Sequence, residues 1–263
     1  MRRAIYAIQQ DLKRGLSVKI ILAVVGVAFC VLLDNADVIK YIGEEGGPSV
    51  FYFLFFSISY GGLFGRYLLP VMSALPAGTM FVEDYEHHFL PYMVARTGKK
   101  TYLVSKYCVS ILLGGVTMVL GMLLLISLLS SVCPPISADE LDAVSYYVKQ
   151  VSTENGVPYY GYTLYFAFLA GCLWSGLAVA VSAFVRSQSF TLAVPFVGSF
   201  LLTQGLKMVR LPDAYRLDMW LYMRSTLQSE RFTMMLTASH VGIILMIAGL
   251  AFIRKGRGLI ENA

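Results

Sequence analysis

Residues 81–106 read FVEDYEHHFLPYMVARTGKKTYLVSK and lie between two long apolar segments. This stretch holds seven charged residues and two histidines, whereas the segments on either side are almost free of charge. A segment with many charged side chains between two membrane helices stays in water on one face of the bilayer. We therefore expect residues 81–106 to form a structured loop that contacts another molecule.

The composition of the whole chain is that of a membrane protein. Of its 263 residues, 57% are hydrophobic and 14% are charged, whereas soluble domains carry about 25% charged residues. Apolar runs near twenty residues recur, which is about the length that an α-helix needs to cross a bilayer. The net charge of +5 comes from cations beside these runs, so we expect a lipid bilayer as partner and no nucleic acid.

The apolar runs predict an all-α polytopic membrane protein with six transmembrane helices in one domain, residues 1–263. The predicted spans cover about 18–34, 50–80, 104–132, 159–185, 189–207 and 235–253. About thirty helical residues reach about 45 Å, beyond a hydrocarbon core of about 30 Å, so the second span must tilt, bend or project from the bilayer. Pro70 and Pro76 are its candidate break points.

Residues 1–17 are predicted to form an amphipathic helix in the plane of the membrane surface. Ile5, Ile8, Leu12 and Leu16 recur at three- and four-residue steps, and cations lie on the other face. This pattern is typical of an interfacial helix with its apolar side towards the lipid. Alternatively, residues 1–17 are only an ordinary basic segment that precedes the first span.

The distribution of lysine and arginine along the chain predicts a multi-pass protein of the cytoplasmic (inner or plasma) membrane. Both termini are expected in the cytoplasm. The N-terminus, residues 81–106 and the tail after Ile253 are basic, and basic loops stay cytoplasmic. Residues 207–234 are also basic, yet six spans place them outside. Either a span is miscounted or this segment forms short helices in the outer interface. Three aromatic residues favour the second alternative, because such rings settle at headgroup level: Tyr215, Trp220 and Tyr222.

Polar and small residues inside the predicted spans give further candidates. Arg66 lies near the middle of the second span, where a charge costs about 2.5–3.5 kcal/mol on insertion scales, so it is a candidate for the translocation pathway. Alternatively, a shift or kink brings Arg66 nearer an interface. Gly61 with Gly65, and Gly171 with Ser175, have the four-residue spacing of close helix packing, within one chain or between two copies.

The sequence contains no enzyme or nucleotide-binding signature. There is no GxSxG, no HExxH and no phosphate-binding GxxxxGK[ST] motif, and the cysteines lack CxxC spacing. His240, near the start of the sixth predicted span, stands alone, which favours a hydrogen-bonded core histidine over a proton relay. We expect no catalytic residue, no metal site and no cofactor in this chain.

The order of residues in 81–106 resembles the loop between spans two and three of type 2 export permeases of ABC transporters. In that family a Pro-containing second span ends in an acidic residue, and a short helix, an Arg and Tyr-x-x-x-Lys follow. The matching residues are Pro70, Pro76, Glu83, Arg96, Tyr102 and Lys106. The N-terminal helix, the tight turn at 186–189 and short external helices before span six also match the family in order.

The resemblance implies a transport subunit and not an enzyme. A cytoplasmic coupling helix within 83–97 would dock on a separate ABC ATPase dimer, which binds ATP and Mg²⁺, and a second permease copy or a related chain would complete the pathway. The implied ATPase-coupling residues are Glu83, Asp84, Glu86, Phe89, Arg96, Lys99 and Lys100. Two residues depart from the family: His88 stands where many relatives have glycine, and Pro91 would split or start the coupling helix.

Two other functional classes remain open at the level of sequence. The first is a non-ABC polytopic scaffold or channel-like subunit, for which residues 81–106 would be only a solvated, positively charged loop. The second is an intramembrane enzyme. The sequence does not specify the cargo.

Overall fold

Every element of the computed structural model is helical. The structure describes residues 2–44, 46–60, 62–136, 157–208, 212, 216–224 and 229–261, and no strand occurs among them. The helices are α1 (Arg2–Gly15), α2 (Val18–Asp34), α3 (Val50–Phe55), α4 (Leu63–Ala74), α5 (Met80–Glu86), α6 (Leu90–Thr97), α7 (Lys99–Leu129), α8 (Val157–Ser182), α9 (Gln188–Phe200), α10 (Leu206–Met208), α11 (Leu217–Leu221) and α12 (Glu230–Glu261). A 3-10 turn, Ile39–Tyr41, and two π-helical turns, Phe56–Tyr60 and Leu201–Gly205, complete the described elements.

Four described helical segments are long and apolar enough to cross a membrane. They are Lys99–Leu129, Tyr159–Ser182, Gln188–Met208 and Glu230–Glu261. Helices α1 and α2 meet at a bend of 55°, and the pair would count as a fifth span if it crosses as one unit. The expectation of an all-α polytopic membrane protein is thus confirmed at the level of four or five apolar helices.

The predicted second span is broken in the structure. Helix α3 runs into the π-helical turn Phe56–Tyr60, and α4 begins only at Leu63. Helix α4 continues through Pro70 and ends at Ala74, and α5 begins at Met80, so one break precedes Pro70 and a second contains Pro76, as predicted for that proline. At the first break, a side chain at the end of α2 contacts the start of α4.

The carboxylate of Asp34, the last residue of α2, caps the start of α4. It accepts hydrogen bonds from the amides of Phe64, at 2.9 Å, and Gly65, at 2.6 Å. These amides belong to the first turn of α4, where backbone N–H groups have no partner within the helix. A side chain at Gly62 would collide with the Asp34 carboxylate. The end of α2 and the start of α4 therefore lie side by side.

Helices α7 and α8 form the centre of the bundle. A Cβ atom at Gly114 would lie 2.6 Å from the carbonyl oxygen of Gly171, so the two backbones are in direct contact. One turn away, the hydroxyls of Ser110 and Ser175 are 3.0 Å apart. The small residues Gly171 and Ser175 thus pack helices within one chain, which is the first of the two predicted uses.

Several elements meet at one end of the bundle, called here the α6 end. They are α1, α5, α6, the start of α7, the turn 183–187 between α8 and α9, and the end of α12. Gln188 donates a 2.6 Å hydrogen bond to Glu86, and Lys99 lies 3.5 Å from Glu261. The turn between α8 and α9 is short, as the sequence predicted.

Candidate functional site

Helix α6 presents an exposed aromatic surface at this end. Its Leu90 is buried in the same apolar cluster as Phe81 and Tyr102, which holds one face of α6 on the bundle. On the other side, Tyr92 is 72% exposed and Phe89, the residue before the helix, is 56% exposed. Exposed aromatic rings next to charged groups are typical of a surface that a protein partner covers.

One tight turn precedes α6 and another follows it. His88 precedes the helix with φ of 57°, and Gly98 follows it with φ of 86°. Left-handed backbone is ordinary for glycine and uncommon for other residues. Pro91 lies in the first turn of α6, where its missing N–H leaves no bond unmade. Pro91 was expected either to split or to start the helix, and in the structure it starts α6.

Six charged side chains meet beneath α6 and form what is called here the ion cluster. They come from α1, α2, α5 and α7: Asp11, Arg14, Lys19, Glu83, Asp84 and Lys106. Three are acidic and three are basic, so their formal charges cancel. The cluster joins the N-terminal helix to both helices that flank α6.

The centre of the ion cluster is fully buried. The ammonium nitrogen of Lys106 lies 2.8 Å from Asp11 Oδ1 and 2.9 Å from Asp84 Oδ2, and none of the three side chains is more than 2% exposed. The hydroxyl of Tyr102 donates to Asp84 and that of Ser105 donates to Asp11, both at 2.6 Å. Buried charges are tolerated when they are paired and hydrogen bonded; here all three charges are paired, and each carboxylate also accepts a hydrogen bond.

Glu83 forms the outer part of the ion cluster. Its carboxylate lies 2.5 Å from the ammonium of Lys19 and 3.6 Å from the guanidinium of Arg14, and it accepts a 2.6 Å hydrogen bond from Thr79. Burial alone would raise the pKa of Glu83. The hydrogen bonds from Lys19 and Thr79 and the nearby positive charges outweigh burial, so the pKa lies below its ordinary value.

Asp84 is held ionised in the same way. Burial acts to raise its pKa, but the charge of Lys106, the hydrogen bond from Tyr102 and the charge of Arg14 lower the pKa below its ordinary value overall. Arg14 lies 2.5 Å from the other oxygen of the same carboxylate. Glu83 and Asp84 therefore remain charged at neutral pH.

The structure divides the seven predicted coupling residues into two groups. Glu83 and Asp84 lie inside the ion cluster, where Asp84 has no exposed surface for a partner. The other five are exposed: Glu86, Phe89, Arg96, Lys99 and Lys100. Sequence reasoning treated all seven as one docking surface, whereas Glu83 and Asp84 connect helices.

Sequence reasoning missed the part that α1 plays in this site. Asp11 is the only acidic residue in the sequence of α1, and it is buried on the helix face that also holds Ala7 and Gly15. Lys106 lies within an otherwise apolar predicted span. A lysine in a membrane helix needs a partner, and the single carboxylate of α1 was a candidate that the sequence offered.

Arg66 lies in the first turn of α4, close to the end of α2, and not in the middle of an unbroken helix. It is near enough to Asp34 and to Arg224 for their charges to interact. Its guanidinium is 5.9 Å from the ring centre of Tyr67. This placement favours the alternative in which a kink moves Arg66 away from the centre of the span.

Internal contacts occupy basic residues of the segment before α12. Arg216 pairs with Asp218 at 2.6 Å, and Arg224 donates a hydrogen bond to the carbonyl of Ser59 at 2.5 Å. Trp220 and Tyr222, expected at headgroup level, are buried in the chain. The third predicted aromatic, Tyr215, lies outside the described residues.

His240 packs against the same segment. Its Nδ1 is 2.8 Å from the carbonyl oxygen of Leu236, and its ring stands edge-on to Trp220 with centres 5.5 Å apart. The histidine is hydrogen bonded, as predicted, but it is exposed and does not belong to the core.

The α6 end offers a docking surface and a rigid connection to several helices. Among the described residues, no group of three or more His, Cys, Asp or Glu side chains is placed to hold a metal ion. Comparison of the chain with protein-family models, with curated proteins and with solved structures gives no match. The geometry of the α6 end is therefore the basis for a functional proposal.

Proposed function

We propose that this chain is the membrane permease subunit of an ATP-driven exporter of the ABC type, and that α6 is its coupling helix. The observation that carries the proposal is the placement of α6 between α5 and α7, with Phe89 and Tyr92 exposed. A short helix with two exposed aromatic rings is suited to a groove on a partner protein. ATP and Mg²⁺ would bind to that partner, a separate ATPase dimer.

Six spans can be assigned to the helices on this proposal. They are α2, the broken pair α3–α4, α7, α8, α9 with α10, and α12, while α1 lies in the membrane surface. The 55° bend between α1 and α2 suits an interfacial helix followed by a span. The cap that Asp34 provides for α4 supports α4 running back along α2. Both termini and α6 would then be cytoplasmic.

The ion cluster gives this proposal a mechanical basis. When the ATPase closes on ATP, it displaces α6. Because Asp84 and Lys106 join α5 to α7, and Asp11 and Arg14 join both to α1, these helices move together as one body. A paired network with a buried centre resists local deformation, so displacement of α6 would reach the spans. A second permease copy, identical or related, would enclose the cargo pathway.

Photo-cross-linking at Tyr92 tests the proposal. A photoreactive phenylalanine analogue replaces Tyr92 in living cells, and adducts are identified by mass spectrometry. We expect an adduct with an ATPase that carries a phosphate-binding loop. The same analogue at Tyr41, which is 45% exposed in the segment between α2 and α3, is the matched control and should give none.

A functional measurement completes the test. In the purified complex, Tyr92→Ala should lower ATP hydrolysis or complex affinity roughly tenfold, because exposed aromatic anchors dominate interfaces. Adducts at Tyr92 that contain no ATPase would refute the proposal, and recovery of only other membrane proteins would support the scaffold or channel-like alternative. Equal ATPase adducts at Tyr41 and Tyr92 would also count against α6 as the docking surface.

A further inference from the structure

We propose that a basic cleft between the turn after α8 and the end of α12 binds the headgroup of an anionic phospholipid. The cleft lies at the α6 end and has a volume of about 660 Å³. The lining residues that matter are Phe184, Arg186, Leu250, Arg254, Lys255 and Gly258. The inference concerns a different surface from α6 and does not depend on the proposed function.

The cations of the cleft have no acidic partner in the part of the chain that the structure describes. Arg186, Arg254 and Lys255 are all exposed, and no described carboxylate lies within ion-pair distance of them. Their contacts are with aromatic rings: Arg186 lies 5.0 Å from the ring centre of Tyr85, and Lys255 lies 6.0 Å from that of Phe184. Three like charges around one cleft repel each other, and a phosphate group would relieve this repulsion through charge-assisted hydrogen bonds.

The other side of the cleft is apolar. Phe184 is 55% exposed and Leu250 is 65% exposed. Along α12 the sequence is apolar up to Ile253 and becomes basic at Arg254. The cleft therefore crosses the level at which hydrocarbon gives way to headgroups, with its cations on the polar side.

This combination favours a lipid over other anionic ligands. A free phosphate would use the cations but would leave Phe184 and Leu250 without a partner. A phospholipid satisfies both halves, since its acyl chains lie along the apolar residues while its phosphate meets the cations. Net negative headgroups gain more from three cations than zwitterionic ones do.

Lipid titration of the purified protein tests the inference. Native mass spectrometry in detergent compares phosphatidylglycerol with phosphatidylcholine as probes. We expect preferential binding of phosphatidylglycerol, weakened about fivefold by each of Arg254→Gln and Lys255→Gln. Arg257→Gln removes the same charge from α12 outside the cleft and should change binding less than about twofold.

A steric variant separates the cleft from general charge. A Cβ atom at Gly258 would meet nothing within 4 Å, so Gly258→Leu extends into the cleft without a clash at its base. It should abolish the preference for phosphatidylglycerol while the thermal unfolding midpoint is retained. Gly242 on the same helix also has open space around it, and Gly242→Leu should bind like the wild type.

Any of four results would overturn the inference. The first is equal binding of the two lipids, and the second is cleft variants that bind like their controls. The third is full competition by inorganic phosphate at the lipid concentration, which would show that the acyl chains contribute nothing. If Lys255→Gln instead weakened only the binding of an ATPase, the cleft would belong to a protein interface and the lipid assignment would be wrong.

Discussion

Lys106 and Asp84 form an ion pair of 2.9 Å in which neither side chain has any exposed surface. The lysine comes from α7 and the aspartate from α5, so the pair joins the two helices on either side of α6. Buried ion pairs are weak evidence for net stability, but losing one partner leaves a buried charge that nothing compensates. This asymmetry makes the ion cluster testable by single substitutions.

Removing Lys106 should destabilise the protein strongly. Lys106→Met should reduce the free energy of unfolding by about 3–5 kcal/mol, because Asp11 and Asp84 then remain buried with one cation fewer. The measurement is thermal unfolding in detergent. Lys99→Met is the matched control, since the pair between Lys99 and Glu261 is exposed and should contribute less than about 1 kcal/mol. Similar losses in both variants would contradict the role of burial.

Removing both charges of the pair should be less harmful than the sum of the single changes. Asp84→Asn and Lys106→Met each leave an unbalanced charge, whereas the double variant leaves Asp11 with Arg14 and Glu83 with Lys19. The coupling energy from a double-mutant cycle should be about 0.5–3 kcal/mol in favour of the double variant. Strictly additive losses would mean that Asp84 and Lys106 do not act on each other.

The ion cluster predicts a loss of stability in acid. Glu83 and Asp84 have pKa values below their ordinary 4.5 and 3.8 in the folded protein. Their ionised forms therefore stabilise the fold above those ordinary values, and this stabilisation disappears as the pH falls through the lowered pKa values. The unfolding midpoint should stay level between about pH 6 and pH 8 and fall below about pH 4.5.

A substitution checks which carboxylates cause this decline. Glu83→Gln should start from a lower midpoint at neutral pH and lose less on acidification. Glu44→Gln, at an exposed position between α2 and α3, should follow the wild-type curve. A Glu83→Gln curve parallel to that of the wild type would place the acid-sensitive groups elsewhere.

His88 should prefer replacement by glycine over alanine. Its φ of 57° is left-handed, which costs a residue with a Cβ atom roughly 1–2 kcal/mol relative to glycine. His88→Gly should therefore unfold at a higher temperature than His88→Ala. At His87, where φ is −90°, the order should reverse, because glycine there only adds freedom to the unfolded chain. The same order at both positions would argue against the left-handed turn.

The contact between α7 and α8 should not tolerate a larger residue. Gly171→Leu would force a side chain against the backbone of Gly114 and should lower stability by about 1–3 kcal/mol or prevent folding. Gly161 lies on the same helix with nothing within 4 Å of its Cβ position, so Gly161→Leu is the control. Yields and unfolding midpoints of the two variants should differ clearly.

Hydropathy predicted the long helices well because each follows from its own sequence. The third predicted span and α7 coincide closely, and the fourth coincides with α8. The break in the second span was placed at prolines, since proline is the local signal for a kink. The structure confirms a break at Pro76, between Ala74 and Met80, but not at Pro70. It has a further break before Leu63, where Asp34 of another helix supplies the cap, and no local pattern reveals such a partner.

In the candidate site, too, some features follow from local sequence and others depend on contacts between helices. Phe89 and Arg96 were found from the sequence of the loop itself, whereas Tyr92, which is more exposed than Phe89, was not singled out. The roles of Asp11 and Lys106 depend on which helices meet in space, and hydropathy alone does not determine that. A lysine within an otherwise apolar span is the signal that sequence reasoning could have used more fully.

The ion cluster also has a consequence for the order in which the chain is assembled during synthesis. Asp11 and its partner Ser105 are 94 residues apart, and Arg14 and Asp84 are 70 apart. When α1 leaves the ribosome, none of the groups that hold it in the ion cluster has been made. Helix α1 therefore cannot complete its contacts in the ion cluster until α7, which carries Ser105 and Lys106, has been synthesised.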